Sequence, residues 1–272
     1  MAIIGTKPGI WPTKIGPARF ASRLHDEINI DTKVALLGAP DDTGVRMNGG
    51  RPGAILGPTA FRGALARYGA AEPGGFVWPG VFDAGDVLPG DSLGETHDRV
   101  TAATRELLDK DVIPVMIGGG HDLTYPFVRA LAEEAEQPMV GVYFDAHLDV
   151  RDQDGSGMPF RRLIERCGVR ELHVHGLDTM ANSSEHLAWF QSHGGHVDPF
   201  GPDDDWPAGD LFVSFDLDVI DQACAPGVSA TNPCGWGSSL ACRWARAAGR
   251  QPRVRCFDIM ELSPPYDQDG RT

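Results

Sequence analysis

Short, largely apolar runs recur along this chain, and longer helix-like segments alternate with them. The runs are Val34–Leu37, Val112–Ile117, Val140–Phe144, Leu172–Val174, Leu211–Phe215 and Val254–Ile259. The helical segments are Pro58–Tyr68, Leu93–Lys110, Asp122–Ala135, Pro159–Cys167, Ser184–His193 and Ser239–Ala248. A strand that is apolar at every position suits a sheet covered on both faces, and the alternation predicts βαβ units around a mostly parallel sheet. Right-handed crossovers bring the carboxyl ends of such strands to one edge, where ligands bind near a switch in strand order.

Three of the runs end in residues that can hold metal. His121 follows Ile113–Ile117 and a Gly118-Gly119-Gly120 turn. Asp145, His147 and Asp149 follow Val140–Phe144, and Asp216 and Asp218 follow Leu211–Phe215. Residues two apart on an extended segment share a face, so each of the last two groups is expected on one side of its segment. Four carboxylates gathered at one edge repel one another unless cations sit between them, which predicts a dinuclear metal site. Oxygen ligands with some imidazole suit Mn²⁺ and also accommodate Fe²⁺, Co²⁺, Ni²⁺ or Zn²⁺. Two such ions about 3.5 Å apart can share a water and bring its pKa near neutrality.

Competing motifs are absent. A lone Asp-x-Asp reads as a turn or a cap, but three segments of matching ligand type at matching topological positions do not. The glycine turn before His121 carries no following lysine, so it reads as room for a metal-facing histidine rather than a phosphate loop. There is no GxGxxG, GxxxxGK[ST] or GxSxG. His173, His175, His186, His193 and His196 read as core or surface histidines.

Composition narrows the classes. With 272 residues, 42% hydrophobic, and neither a dividing linker nor an internal repeat, one domain spanning 1–272 is expected. A net charge of −14 argues against nucleic acid and anionic membrane as partners, and Asp203-Asp204-Asp205 reads as a solvated loop. No apolar run approaches the roughly 20 residues of a membrane span. The N-terminal Met-Ala-Ile-Ile-Gly-Thr-Lys-Pro-Gly lacks the basic-then-apolar layout of a leader. Five cysteines without a CxxC pair suggest reduced thiols and a cytoplasmic setting.

At Gly118–Asp122, Phe144–Asp149, Ser214–Asp221 and Asp258–Pro264 the chain resembles the ureohydrolase superfamily of arginases, agmatinases and formimidoylglutamases, in order and over nearly its whole length. The resemblance implies a three-layer α/β/α sandwich around an eight-stranded, mostly parallel sheet, a binuclear Mn²⁺ centre and a homo-oligomer. It assigns His121, Asp145, His147, Asp149, Asp216 and Asp218 as ligands, with Asp145 and Asp216 bridging. It makes Glu261 the carboxylate that pairs with an amidine or guanidinium group, whose fork of N–H donors a carboxylate matches. Arginases and agmatinases usually carry Asp at the position of Gly120 and a shuttling histidine at that of Ser156, and a serine is a poor shuttle at neutral pH. Formimidoylglutamases resemble the chain at Asn48–Ala54, Ser156–Phe160, Ala181–Ser183 and Glu261–Asp267 running into Asp269–Thr272.

The implied reaction is hydrolysis of a linear amidine, N-formimidoyl-L-glutamate, with Asp149 handling the proton. Asn48, Arg51, Arg151, Ser156, Arg161 and Asn182 are candidate substrate contacts. A guanidino substrate releasing urea and a non-catalytic relative are the alternatives, and the presence of all six ligands argues against the second. Relatives usually continue past the point matching Thr272 into a final helix, so either this protein dispenses with that helix or the sequence is shortened.

Overall fold

The computed structural model describes residues 3–72, 74 and 77–272; Met1 and Ala2 of the N-terminal stretch lie outside the described residues. Nine strands form one sheet: β1 (Thr6–Lys7), β2 (Thr32–Gly38), β3 (Gly80–Val87), β4 (Ile113–Ile117), β5 (Val140–Phe144), β6 (Glu171–His175), β7 (Gly195–Val197), β8 (Leu211–Asp216) and β9 (Val254–Met260). Their order is β1-β3-β2-β4-β9-β8-β5-β6-β7. The strands from β2 to β9 pair in parallel throughout, and β1 is a ninth, added antiparallel on β3 through Thr6↔Val87 and Lys7↔Asp86. The expected count of eight therefore fits the parallel strands alone.

Among the described residues seven α-helices accompany the sheet: α1 (Thr43–Met47), α2 (Gly57–Leu65), α3 (Leu93–Leu108), α4 (Thr124–Ala132), α5 (Pro159–Cys167), α6 (Ser184–Ser192) and α7 (Ser238–Ala248). Ser92 and Ser183 cap α3 and α6 by accepting the N–H groups of Glu95 and His186, which satisfies donors that a helix start leaves free. Along β5 and β8 successive side chains enter two different clusters. Val142, Phe144, Val213 and Phe215 pack with Trp206 and Trp244, whereas Tyr143 and Phe212 pack with Phe127, Phe160 and Phe190. Both faces of the central strands are thus buried, and the layers are α/β/α as expected.

β3 does not read as an apolar run because Asp83 and Asp86 interrupt it. Both are there for Arg62 of α2, which is buried and bonds them at 2.8 and 2.6 Å. The strand's polar positions thus fasten α2 to the sheet through an ion-paired guanidinium; removing one member would leave a buried charge uncompensated.

β4, β9, β8 and β5 lie side by side at the sheet centre, and the chain steps from β4 to β5 across the two later strands. The carboxyl ends of these four strands carry every predicted ligand and Glu261.

Candidate metal centre

His121 opens a 3-10 turn (His121–Leu123) that leads into α4, so the helix expected from Asp122 begins at Thr124 instead. The tight approach that puts His121 there depends on Gly119. A β-carbon at that position would stand 1.8 Å from the carbonyl oxygen of Asp41. The glycine turn therefore serves close backbone packing, and the N–H of Gly120 completes it by donating to that same oxygen at 2.9 Å.

The second segment departs from extended geometry after Phe144. Asp145 Oδ1 accepts the N–H of His147 at 2.6 Å, and Asp149 has a left-handed backbone (φ 47°). The loop is clamped between neighbours. Tyr143 donates its hydroxyl to the Leu148 carbonyl at 3.0 Å, the Leu148 N–H donates to Asn182 Oδ1 at 2.9 Å, and Asn182 Nδ2 donates to the carbonyls of Ala146 and Asp178 at 2.8 and 2.7 Å. Asp216 ends β8, and a 3-10 turn over Leu217–Val219 follows, so the pair is not extended either. The Asp218 N–H donates to Asp216 Oδ1 at 2.8 Å.

Together these turns gather the ligands into two groups. His121 Nδ1 lies 3.2 Å from Asp145 Oδ2, 2.9 Å from Asp149 Oδ2 and 3.0 Å from Asp216 Oδ2. His147 Nδ1 lies 3.3 Å from Asp145 Oδ1 and 3.0 Å from Asp218 Oδ2. Asp145 belongs to both groups and Asp216 to the first. His121 Nδ1, Asp145 Oδ2 and Asp218 Oδ1 are buried without a hydrogen-bond partner, a state that folded proteins otherwise avoid. Atoms of this kind, converging on common points, fit divalent cations.

The electrostatics agree. Burial pushes Asp145 up to about 6, helped by the charges of Asp149 and Asp218, and drives Asp216 well above the ordinary carboxylate range. Burial works against charge on His121 and His147, yet the surrounding aspartates raise both well above the imidazole range. The same field that favours a proton there favours a metal ion.

Behind His121 runs a relay that the sequence reading did not assign. Its Nε2 lies 3.0 Å from Ser214 Oγ, which donates to Asp258 Oδ1 at 2.6 Å. This leaves Nδ1 facing the carboxylates, a typical way of orienting a ligating imidazole. Ser214 stands two residues before Asp216 on β8, opposite Asp258 of β9 in register. Period two along β8 and Asp258, one of two polar residues inside the Val254–Ile259 run, were the available signals.

A pocket of about 280 Å³ opens over the two groups and is lined by Asn48, Arg51, Arg151, Ser156, Ser229 and Glu261 among others. Glu261 is buried with a left-handed backbone (φ 68°). Its Oε1 accepts the His121 N–H at 2.7 Å, its Oε2 has no partner, and burial pushes its pKa up to about 8. Two expected contacts do not reach the pocket walls. Arg161 lies on α5, where its guanidinium covers the Trp189 ring at 4.7 Å and bonds Glu165, one helical turn on, at 2.8 Å. Asn182 is the clamp described above.

Among the described residues, no helix is long and apolar enough to cross a membrane. The arginase family profile matches residues 32–272. Relatives called formimidoylglutamase include that of Aromatoleum aromaticum, 34% identical over 282 residues that cover 88% of this chain and 79% of the relative. The crystal structure of Trypanosoma cruzi formiminoglutamase with Mn²⁺ superposes with a TM-score of 0.83 at 27% identity, over 92% of this chain and 91% of that one. Proclavaminate amidino hydrolase from Streptomyces clavuligerus superposes with a TM-score of 0.79 at 29% identity, over 94% and 91% of the two chains.

Proposed function

The chain belongs to the arginase family, and from that premise we propose that it hydrolyses N-formimidoyl-L-glutamate to L-glutamate and formamide with the help of two Mn²⁺ ions. The observation that carries the reading is the pair of His/Asp groups sharing Asp145 under a pocket with Glu261 in its wall. The formimidoylglutamase relatives support the choice of substrate.

His121, Asp145, Asp149 and Asp216 would hold one ion, and His147, Asp218 and the shared Asp145 the other. When bound, the ions supply Lewis acidity and a water that loses its proton readily. Glu261 Oε2 accepts an N–H of the amidinium, and a cation beside it draws this carboxyl back to its ionised form. That contact fixes the trigonal carbon over the floor of the pocket, where positioning replaces a costly encounter. Asp149 takes the proton that the attacking water gives up and returns it to the glutamate nitrogen as the C–N bond breaks. The other nitrogen and the incoming oxygen leave as formamide. Ser156 stands where arginases keep a shuttling histidine, and its role is to bond rather than to carry a proton.

Free cysteines accord with a cytoplasmic protein of one 1–272 domain, and a homo-oligomer is expected by analogy. A guanidino substrate is the second reading, supported by the likeness to an amidino hydrolase and by the equal fit of a guanidinium to Glu261. Mn²⁺-loaded protein assayed side by side on formimidoylglutamate, guanidinobutyrate, agmatine and arginine decides between them. Glutamate and formamide from the first alone are expected; urea from a guanidino compound, with the first untouched, would replace this reading by the second.

A further inference from the structure

We infer that His97 is a positioning residue. Together with Thr96 it latches two buried carboxylates, Asp122 and Asp41, and so seats the pocket wall that hangs from α1 against the metal turn. The inference rests on the reading of this pocket as the place where substrate meets the metal centre, and it adds a residue that touches neither.

The wall depends on a helix that cannot stand alone. α1 has five residues, far short of the roughly 12–15 at which an isolated helix becomes even marginally stable. Yet two of its carbonyls carry the wall. That of Gly44 accepts the N–H groups of Asn48 and Ser156, both at 3.0 Å, and that of Val45 accepts the N–H of Gly50 at 2.9 Å. Asn48, Gly50 and Ser156 all line the pocket.

Two carboxylates seat this helix. Asp41 Oδ1 accepts the N–H of Thr43, the first residue of α1, at 2.7 Å. Asp122, the residue after His121, lies against the helix from the other side. A β-carbon on residue 44 would stand 1.9 Å from Asp122 Oδ1, and one on residue 120 would stand 2.7 Å from the same oxygen. The carboxylate thus fills the space between α1 and the metal turn. Val45 closes the contact, with its Cγ2 2.9 Å from where a β-carbon of residue 120 would lie.

Consecutive residues of α3 hold both carboxylates. Thr96 Oγ1 donates to Asp41 Oδ2 at 3.1 Å and accepts the Gly90 N–H at 2.9 Å. His97 Nε2 bonds Asp122 Oδ2 at 2.9 Å, and the imidazole meets the Tyr125 ring of α4 edge-on, with centroids 5.8 Å apart. All four of these side chains, Asp41, Thr96, His97 and Asp122, are buried. Asp122 Oδ1 has no hydrogen-bond partner, so among the described residues His97 is the one side chain that bonds this carboxylate. Without it a buried acceptor stands unsatisfied under α1. His121 has supports of its own, Ser214 at Nε2 and Glu261 at its N–H. Loss of His97 is therefore felt in the wall rather than in the metal ligand.

The test reads native-state hydrogen exchange, Mn²⁺ affinity and steady-state kinetics on wild type, His97→Ala, His97→Gln and Thr96→Val. In His97→Ala the amides of residues 48, 50 and 156 are expected to exchange roughly ten- to a hundredfold faster, the scale of an unsatisfied buried acceptor, while β4, β5 and β8 keep their protection. KM of the Mn²⁺-loaded protein for formimidoylglutamate rises with kcat little changed, because substrate binds only the fraction of molecules whose wall is seated. Mn²⁺ affinity stays near that of wild type. His97→Gln restores most of the protection and of KM, since its amide N–H reaches where the imidazole Nε2 stands. Thr96→Val, which keeps the side chain's shape, shifts the same amides to a smaller extent. Unchanged exchange at those amides, or an equal loss of protection across the sheet, would overturn the latch. So would Mn²⁺ affinity that falls while KM holds. Wild-type protein that leaves formimidoylglutamate intact would overturn the substrate reading, and the exchange result would still decide the role of His97.

Discussion

Single side chains decide the chemistry of this site, and two of them are held in costly backbone conformations. Asp149 and Glu261 both have left-handed φ values, which cost non-glycine residues on the order of 1 kcal/mol or more. Each is retained where its carboxylate must enter the pocket from a turn rather than a strand. Ser214 contributes less visibly. Replacing it by Ala removes the hydrogen bond that orients His121, while the fold keeps its packing. Ser214→Ala is expected to weaken Mn²⁺ binding by about 10- to 100-fold, the usual effect of losing a partner of a metal ligand. Competition with a chelator of known affinity checks this, and binding equal to wild type would show that His121 needs no such support.

At the scale of elements, turns hold the ligands more than strands do. Asn182 makes two side-chain hydrogen bonds that tie the 145–149 loop to the segment leading into α6, and a third to Asp178 within that segment. Asn182→Ala should lower unfolding stability by about 1–3 kcal/mol, seen as a shift of the denaturant midpoint, whereas a residue that only met substrate would leave that midpoint alone. This residue also shows what the sequence could and could not convey. The apolar runs foretold β4, β5, β8 and β9 closely, because strands at the centre of a covered sheet are mostly apolar. They missed β3, whose aspartates answer Arg62 across the sheet, and β1 and β7, which are too short to carry a pattern. All six proposed ligands were legible from residue type and position at strand ends. The expectation that they project from extended segments was not met, since 3-10 turns and left-handed residues carry the chain there. Arg161 looked like a pocket cation from its place after the metal loop, but helical spacing to Glu165 turns it outward. No spacing rule announces a partner such as Asn182, whose contacts with the metal loop lie over 30 residues away.

For the whole molecule, metal and fold are coupled. Ligands crowded as these are repel one another without cations, so chelation should lower the thermal midpoint, and added Mn²⁺ should raise it in proportion to the logarithm of its concentration. At an ion concentration about 100 times Kd the gain is roughly 2.7 kcal/mol. Protons compete for the same nitrogens. In the ion-free chain the aspartates raise the proton affinity of His121 and His147, so metal binding expels protons and the apparent affinity falls as pH falls. Calorimetric titrations in buffers of different ionisation enthalpy should reveal that release; a binding heat independent of buffer would contradict it. The ends of the sheet bear on a different property. β1 lies antiparallel over the end of β3, and the opposite flank is β7, only three residues long. Long unpaired edges are where foreign strands add and aggregates grow. With one margin only three residues long and the other capped at its end, the sheet is a weaker template for its own extension, which favours helices and loops as the surfaces through which copies of this chain would meet.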